Sequence, residues 1–255
     1  MTYFLQIWEK RINFATSNEY LLVMKKLLSV YGIACLVLLM FGYGLLLVYP
    51  KVELHLMLNS YHTDVLDTFF KYYTMLAEWT LYVLALLPLF WKKKELTFFF
   101  ALCEISGAVV IQILKYIFCS PRPVSVFEQH PGVVLPVVEG VRLHHSYSFP
   151  SGHAFTFFNF CTCCALLLAY YYQINGRKNS HRAWALLNLE LLLLLALAAL
   201  GAYSRVFLSQ HFLSDVCMGA LIGFVTPCLV YYFWGDKFLG TRRNNEIKQN
   251  EETIT

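Results

Sequence analysis

The sequence predicts an all-α polytopic membrane protein with six transmembrane helices, because of its composition, its apolar stretches and its basic residues. Hydrophobic residues make up 58% of the 255 residues and charged residues 14%, whereas a soluble domain carries about 25% charged residues. The mean hydropathy is positive, at +0.53. This composition excludes a soluble globular domain.

Six apolar stretches have the length of about 20 residues that a helix needs to cross the hydrocarbon core of a bilayer. In chain order they are, roughly, residues 27–49, 71–91, 96–118, 152–172, 184–203 and 212–234. Residues 1–26 mix aromatic and charged side chains, which is typical of an interfacial amphipathic helix or of a plain surface helix. We therefore expect an N-terminal segment 1–26, a membrane domain 27–236 and a polar tail 237–255.

The positions of the basic residues predict the orientation of these helices. With the N-terminus in the cytoplasm, the cytoplasmic segments hold 14 of the 20 Lys and Arg residues. Because cytoplasmic loops are enriched in Lys and Arg, we expect both termini in the cytoplasm. The basic residues on the other side are Lys51, Lys71, Lys115, Arg122, Arg142 and Arg205. Three of these belong to short motifs.

Three short motifs lie on this outer side, each at an end of a predicted helix. The first closes the third span, the second opens the fourth, and the third joins the fifth span to the sixth. They are Lys115 with Arg122-Pro123 after six intervening residues, Pro150-Ser151-Gly152-His153, and Ser204-Arg205 followed by His211 and Asp215. Three separate hairpins therefore bring similar residue types to one membrane surface.

The cations of these motifs predict a binding site for a phosphate-like anion. Lys115, Arg122 and Arg205 place three positive charges on one face, which is costly near hydrocarbon without an anionic partner. Guanidinium groups match phosphate oxygens in geometry, and an ammonium adds a point charge. Ser151 and Gly152 stand where a helix begins, so unpaired N–H groups there favour an anion, and glycine lets the backbone come close to it.

Two histidines beside this site have the chemistry of a nucleophile and an acid. His211 and Asp215 are four residues apart, so on a helix they share one face. The carboxylate can accept one ring N–H of the imidazole and leave the other nitrogen free to attack phosphorus. His153, at another helix N-terminus, is the candidate proton donor, and the surrounding cations would stabilise the transition state.

The three motifs resemble those of the type 2 phosphatidic-acid phosphatase superfamily in residue types, spacing and order. The resemblance covers residues 115–215 by motif, and the six-span plan extends it to most of the chain. It implies a metal-independent enzyme without a cofactor, in which His211 forms a phosphohistidine. His153 would protonate the leaving alcohol and then activate water. The residues implied in phosphate binding are Lys115, Arg122, Ser151, Gly152 and Arg205.

The resemblance implies a class of substrates rather than one substrate. Members of the family act on lipid phosphates and diphosphates, including phosphatidate, phosphatidylglycerophosphate, undecaprenyl diphosphate and lipid A. The motifs bind the phosphate that all of these share, so the sequence leaves the lipid open. The compact length favours a bacterial protein, whose active site would face the periplasm at the outer interface of the inner membrane. The expected partners are the lipid phosphate and membrane lipids, and not nucleic acid.

Two alternatives to a hydrolase stay open. A transporter that binds a lipid phosphate without cleaving it would use the same cations, but binding alone does not require His211 and His153. A lipid-to-lipid phosphotransferase would share the phosphohistidine and move the phosphate to an acceptor lipid. The eight cysteines show no CxxC pair and no Cys/His ligand spacing, so neither a disulfide framework nor a zinc site is predicted.

Other polar residues are interpreted as structural or solvated. Glu104 lies about 16 Å deeper than Lys115 on nearly the same helix face. We therefore expect Glu104, like Glu78 and Gln112, to hold neighbouring polar groups or to pack, rather than to bind the phosphate. The polar residues of the outer loop, which would be within reach of a lipid headgroup, are expected to be simply solvated: His130, Glu139, Arg142, His144 and His145.

Overall fold

The computed structural model describes residues 18–130, 132–174 and 181–239, and this part of the chain contains ten α-helices and no β-strand. The all-α prediction is confirmed. The helices are α1 (Asn18–Leu27), α2 (Ile33–Val48), α3 (Lys51–Leu58), α4 (Asp64–Tyr73), α5 (Trp79–Lys92), α6 (Lys94–Phe118), α7 (Pro123–Phe127), α8 (Gly152–Ile174), α9 (His181–Phe207) and α10 (Leu213–Leu239). A π-helical turn, Leu28–Gly32, joins α1 to α2. Of the expected N-terminal segment 1–26, residues 18–26 belong to α1 and residues 1–17 lie outside the described residues. Of the expected tail 237–255, residues 237–239 belong to α10 and residues 240–255 lie outside the described residues.

Five helical stretches of the described chain are long and apolar enough to cross a membrane. A helix suits this environment because all of its backbone groups bond within the segment. The five match the first, third, fourth, fifth and sixth predicted spans and run over Leu22–Val48, Lys94–Phe127, Gly152–Gln173, His181–Phe207 and Leu213–Gly235. The protein is therefore an integral membrane protein.

The stretch 71–91, expected as the second span, is not a continuous helix. α4 ends at Tyr73, a 3₁₀ turn covers Thr74–Ala77, and Glu78 is extended, with φ −77° and ψ −173°, before α5 begins. α5 has 14 residues, a length of about 21 Å, whereas the hydrocarbon core is ~30 Å thick. At this break, the Thr74 hydroxyl in the 3₁₀ turn accepts a hydrogen bond from Arg205. An apolar pattern does not reveal such an interruption.

α8 is the central helix of the bundle and packs against α1, α6, α9 and α10. Of its most apolar 18 residues, 67% are buried inside the bundle, compared with 28% for the corresponding residues of the first and third predicted spans. Two glycines bring α10 close to α8, as small residues do in membrane helix pairs. A Cβ at Gly219 would collide with the Ser151 carbonyl oxygen, and one at Gly223 with that of Phe155. The close approach fixes the beginning of α8 against the beginning of α10.

The three sequence motifs lie at one end of the bundle, which we call the motif end. There α6 stops, α8 starts and α9 turns into α10. The short helices α3, α4 and α7 and the loop that precedes α8 lie at this same end. A small cluster of buried apolar side chains joins α4 and that loop to the end of α9, and it consists of Phe70, Val138, Phe207 and Leu208.

Candidate active site

His211 lies in the short connection between α9 and α10, where hydrogen bonds fix the backbone. α9 ends at Phe207, and Ser209 takes a left-handed conformation with φ 52°. The N–H groups of Gln210 and His211 both donate to the Arg205 carbonyl oxygen, at 2.9 and 3.1 Å. A left-handed residue after the last turn of a helix allows such bonds to form. The His211 side chain is only 2% exposed.

Asp215, in the first turn of α10, lies beside the imidazole of His211. Its Oδ2 is 3.6 Å from His211 Nδ1, somewhat beyond ordinary hydrogen-bond distance. The same Oδ2 accepts hydrogen bonds from the Ser148 hydroxyl at 2.5 Å and from the Phe212 N–H at 3.0 Å. Ser148 Oγ is also 3.4 Å from His211 Nδ1. The structure thus brings the predicted pair together, with Ser148 as a third member.

Arg122 places its guanidinium next to the other ring nitrogen of His211. Its Nη1 is 3.4 Å from His211 Nε2 and donates to the Gln210 carbonyl oxygen at 3.1 Å. Its Nε donates to the Ser146 carbonyl oxygen at 2.9 Å. Nη2 makes no hydrogen bond within the described residues, so Arg122 is anchored on two sides and still has N–H groups available for an anion.

Arg205 is buried in the last turn of α9. Its Nη1 donates to Thr74 Oγ1 at 2.7 Å, and Glu78, which was expected only to pack or to hold neighbouring polar groups, lies within electrostatic range. The buried Nε of Arg205 has no hydrogen-bond partner in the described part of the chain. An unpaired buried donor costs about 1–3 kcal/mol. An anion bound at this site would satisfy it.

The start of α8 supplies Ser151, Gly152 and His153. The Ser151 N–H donates to the Asp215 carbonyl oxygen at 2.9 Å, and the Ser151 hydroxyl oxygen accepts from the Ala154 N–H at 3.4 Å, as a helix cap does. The backbone N–H of Ser151 is therefore already used, contrary to the expectation from sequence, and its hydroxyl proton remains. The N–H groups of Gly152 and His153 form no hydrogen bonds among the described residues and are free to meet an anion.

Lys115 and His153 complete the set of predicted site residues. Lys115 lies in the last turn of α6, within electrostatic range of Arg122 and Arg205. His153 lies within electrostatic range of the same two arginines. All the predicted site residues therefore form one cluster at the motif end, in which positive charge predominates.

Burial and neighbouring charges set the protonation state of His211. Its pKa is lowered to about 3, chiefly because burial removes water from the imidazolium. Asp215 acts in the opposite direction, and Arg122 and Arg205 lower the pKa further. The ring is therefore neutral at pH 7. Because a guanidinium can only donate, Nε2 beside Arg122 carries the lone pair, and Nδ1 carries the proton that faces Asp215.

Three polar residues at the site were missed in the sequence: Thr74, Ser148 and Gln210. The carbonyl oxygen of Gln210 accepts from Arg122, and its Nε2 donates to the Arg142 carbonyl oxygen at 3.1 Å. Ser148 and Gln210 stand close to the motifs in sequence, which was the one signal available. Thr74 lies in an apolar stretch that gave no signal.

The polar residues of the loop before α8 are exposed, as expected for solvated side chains: His130, Glu139, Arg142, His144 and His145. The pKa of His144 is lowered, first by partial burial and then by the site's cations, Arg122 foremost. His144 is thus placed near the opening of the cationic cluster, although it forms no hydrogen bond described in the structure.

Glu104 lies in a separate polar cluster inside the bundle. Its Oε1 accepts from the Thr156 hydroxyl at 3.0 Å and its Oε2 from Asn159 Nδ2 at 2.9 Å. Asn159 also donates to the Tyr82 hydroxyl at 2.7 Å. The carboxylate holds neighbouring polar groups, as expected, and joins α6 to α8. Gln112, for which the same role was expected, is exposed.

Within the described ranges, no group of three or more His, Cys, Asp or Glu residues is arranged to hold a metal ion. All eight cysteines are free thiols. The charged groups that meet at the motif end are mainly cations, and this arrangement suits an anion as ligand.

The chain is similar to known proteins over the region that contains the three motifs. A family model described as the PAP2 superfamily matches residues 96–239. The lipid A 4'-phosphatase of Porphyromonas gingivalis is 27% identical over 196 residues, which cover 70% of each chain. The crystal structure of Aquifex aeolicus LpxE, 26% identical, covers 71% of this chain and 93% of its own, with a TM-score of 0.47.

A second solved structure shares the fold. It is the PAP2-type phosphatidylglycerolphosphate phosphatase of Bacillus subtilis, which is 18% identical and has a TM-score of 0.52. The similarity covers 79% of this chain and 94% of that one.

Proposed function

The chain belongs to the PAP2 superfamily, and on that premise we propose that it hydrolyses the phosphate of a membrane lipid through a phosphohistidine on His211. It is a lipid phosphatase of the PAP2 type and an integral membrane protein. One observation supports the proposed mechanism most directly. The buried, neutral imidazole of His211 has Nε2 3.4 Å from Arg122 and Nδ1 3.6 Å from Asp215.

In the first step, the phosphate of the lipid enters among the cations. Nη2 of Arg122 and Nε of Arg205 lack partners in the described chain and would donate to its oxygens. The Lys115 ammonium and the Gly152 N–H add two further donors. These groups reduce the repulsion between the phosphate and a nucleophile and stabilise the charge of the transition state.

In the second step, the lone pair on His211 Nε2 attacks phosphorus. The Nε2–P bond forms while the bond between phosphorus and the lipid oxygen breaks, and His153 donates a proton to that oxygen so that it leaves as an alcohol. The imidazole gains positive charge, which Asp215 stabilises at Nδ1. Ser148 keeps the Asp215 carboxylate in place.

In the third step, water attacks the phosphohistidine. His153 takes a proton from the water, the new P–O bond forms and the P–Nε2 bond breaks. Inorganic phosphate leaves, and His211 returns to its neutral form. The positive charge that this scheme requires comes from Lys115, Arg122 and Arg205, so we expect turnover without added divalent metal.

A phosphate monoester on a lipid of the lipid A class is the first substrate to test, because the similar Porphyromonas gingivalis protein is a lipid A 4'-phosphatase. The proposed roles of the site residues concern binding of the phosphate and do not select one lipid over another. Phosphatidate, phosphatidylglycerophosphate and undecaprenyl diphosphate are therefore the comparison substrates.

We also propose six membrane crossings, with the motif end at the outer interface of a bacterial inner membrane and both termini in the cytoplasm. The distribution of Lys and Arg supports this orientation, because the basic residues 92–94, where α5 ends and α6 begins, and Arg182, at the start of α9, lie at the opposite end of the bundle. α4 and α5 would form the second crossing in chain order, and their break at Thr74–Glu78 would lie beside Arg205.

The proposal is tested with the purified 255-residue protein in detergent micelles, with EDTA present and each lipid as substrate. We expect the wild type to release inorganic phosphate, His211→Ala to be folded but inactive, and the exposed-histidine control His145→Ala to stay active. Normal turnover by His211→Ala would exclude His211 as the nucleophile. Phosphate recovered on an acceptor lipid would indicate a phosphotransferase, and lipid binding without release would indicate a transporter.

A further inference from the structure

The hydroxyl of Ser209 joins three parts of the chain directly behind the proposed nucleophile. Ser209 lies two residues before His211 and is 1% exposed, with φ at 52°. A left-handed backbone is uncommon for a residue other than glycine, so the surroundings must hold it. The Ser209 hydroxyl donates to the Pro136 carbonyl oxygen at 2.5 Å and accepts from Asn59 Nδ2 at 2.7 Å.

The chemistry of these groups fixes the direction of both Ser209 hydrogen bonds. A carbonyl oxygen only accepts, so Ser209 uses its one proton on Pro136. Its oxygen must then accept from Asn59, which turns the Asn59 amide oxygen toward His62 Nε2 at 2.9 Å. His62 Nδ1 is in turn 2.7 Å from Asp67 Oδ1. A continuous chain of polar groups therefore runs from α4, past the end of α3, to the connection that carries the nucleophile.

His55, on α3, contacts this connection on both sides of His211. Its Nε2 is 3.4 Å from Ser209 Oγ, and its ring packs edge-on against Phe212 with 5.2 Å between centroids. Asn59 itself is 1% exposed. The end of α3 is thus a rigid support for the connection, and Asn59 is the residue that bonds it to the Ser209 hydroxyl.

The conformation of Ser209 decides where the site residues point. Gln210 follows it directly, and its carbonyl oxygen accepts from Arg122. A rotation of the Ser209 backbone would therefore move both His211 and the carbonyl that anchors Arg122. A displacement of about 1 Å at a reacting group can cost on the order of 10²-fold in rate.

We propose that Asn59 is a positioning residue, which acts through the Ser209 hydroxyl to hold the connection 209–211 so that His211 Nε2 is aimed at phosphorus. This inference rests on the proposed function. Asn59 does not contact the phosphate-binding cations in the structure described. Arg122 keeps its second anchor on the Ser146 carbonyl oxygen, so loss of the Asn59 hydrogen bond should act on the chemical step much more than on substrate binding.

The first test uses Asn59→Asp, which keeps the size of the side chain and an acceptor for His62 but has no N–H for Ser209. We expect kcat to fall about ten- to hundredfold while KM changes by less than about twofold. Orthovanadate, a transition-state analogue that bonds to the nucleophile, reports the position of His211 directly. Its inhibition constant should rise by the factor by which kcat falls, and that of inorganic phosphate should not change.

Tyr203→Phe is the matched control. The Tyr203 hydroxyl donates to the Leu58 carbonyl oxygen at 2.8 Å, so this variant also removes a hydrogen bond between α3 and α9, one residue away from Asn59. We expect kcat and orthovanadate inhibition near the wild-type values. An equal loss in Tyr203→Phe and Asn59→Asp would assign the effect to helix packing and overturn the proposal.

Other outcomes separate this inference from the proposed function. Wild-type kcat and orthovanadate inhibition in Asn59→Asp would overturn the inference alone, provided that His211→Ala is inactive. Turnover by His211→Ala would overturn the proposed function instead. If Asn59→Asp does not fold, Ser209→Gly, which permits the left-handed backbone and lacks the hydroxyl, must show the same loss of kcat, and wild-type kcat in that variant would refute the inference.

Discussion

Arg122 Nη1 lies 3.4 Å from Nε2 of His211, while the other nitrogen of the ring faces Asp215. Because a guanidinium can only donate, this contact requires the lone pair of the imidazole to be on Nε2. A phosphate bound to Arg122 would therefore lie next to the nitrogen that attacks it. In the proposed mechanism, Arg122 would thus both orient the nucleophile and bind the phosphate that it attacks.

Arg122→Lys should lower kcat/KM by about 10²–10³-fold. The charge remains, but the fork that reaches His211, Gln210 and the phosphate together is lost. Steady-state kinetics on a lipid monophosphate measure the effect. Arg142→Lys, at an exposed position of the same end, is the control and should change kcat/KM little. Equal losses of kcat/KM in the two variants would contradict a specific requirement for the guanidinium of Arg122.

Ser148→Ala should lower kcat about ten- to hundredfold, since the Asp215 carboxylate loses a hydrogen bond worth about 1.5–3 kcal/mol and holds the imidazole less firmly. The kcat of the purified variant is compared with that of Ser125→Ala. Ser125 donates to the His145 carbonyl oxygen in the neighbouring loop, outside the site. A wild-type kcat in Ser148→Ala would show that Asp215 needs no such support.

Thr74→Val should raise KM by about ten- to hundredfold with a smaller change in kcat. The substitution removes the acceptor for Arg205 Nη1 at almost constant volume, and a hydrogen bond to a charged group contributes about 1.5–3 kcal/mol. Thr68→Val, at an exposed position on α4, is the control. An unchanged KM in Thr74→Val would show that the hydrogen bond from Arg205 to Thr74, in the break of the second predicted span, does not contribute to phosphate binding.

The stability of the protein should fall as the pH is lowered below about 6.5, in part because of His211. Its pKa is about 3 in the folded protein and about 6.5 in an unfolded chain. The unfolded chain binds more protons between these values, so the folded state loses stability across this window as the pH falls. His55, with a pKa of about 4, acts in the same direction.

The contribution of His211 is measured as the dependence of Tm on pH in detergent micelles. Between pH 7 and about pH 4.5, Tm should fall less steeply in His211→Ala than in the wild type. Identical slopes in the two proteins would show that His211 is not held neutral by burial.

The parts of the site that follow from helix periodicity could be predicted from the sequence. His211 and Asp215 are four residues apart and do meet, although α10 begins only at Leu213. Lys115 at the end of one span and Gly152 at the start of the next lie at the same end of the bundle. The number and length of the apolar stretches are enough to predict that arrangement, because the chain changes sides of the membrane with each crossing.

The parts that depend on the path of a loop or on a close helix contact could not be predicted. Ser148 reaches Asp215 only because of the course of the loop before α8. The Ser151 N–H is used because Gly219 lets α10 approach. Thr74 meets Arg205 where an apolar stretch breaks, and no periodic pattern marks that break.

The proposed phosphohistidine mechanism is tested most directly by identifying the phosphorylated residue. In His153→Ala, a phosphate monoester with a good leaving group, such as p-nitrophenyl phosphate, needs no acid for the first step, and the phosphoryl enzyme should accumulate because water is no longer activated. Mass spectrometry of peptides from protein quenched in alkali locates the phosphoryl group. We expect the phosphoryl group on His211 and expect none in the double variant His153→Ala/His211→Ala. A phosphoryl group on any other residue, or phosphate release by His211→Ala at the wild-type rate, would contradict it.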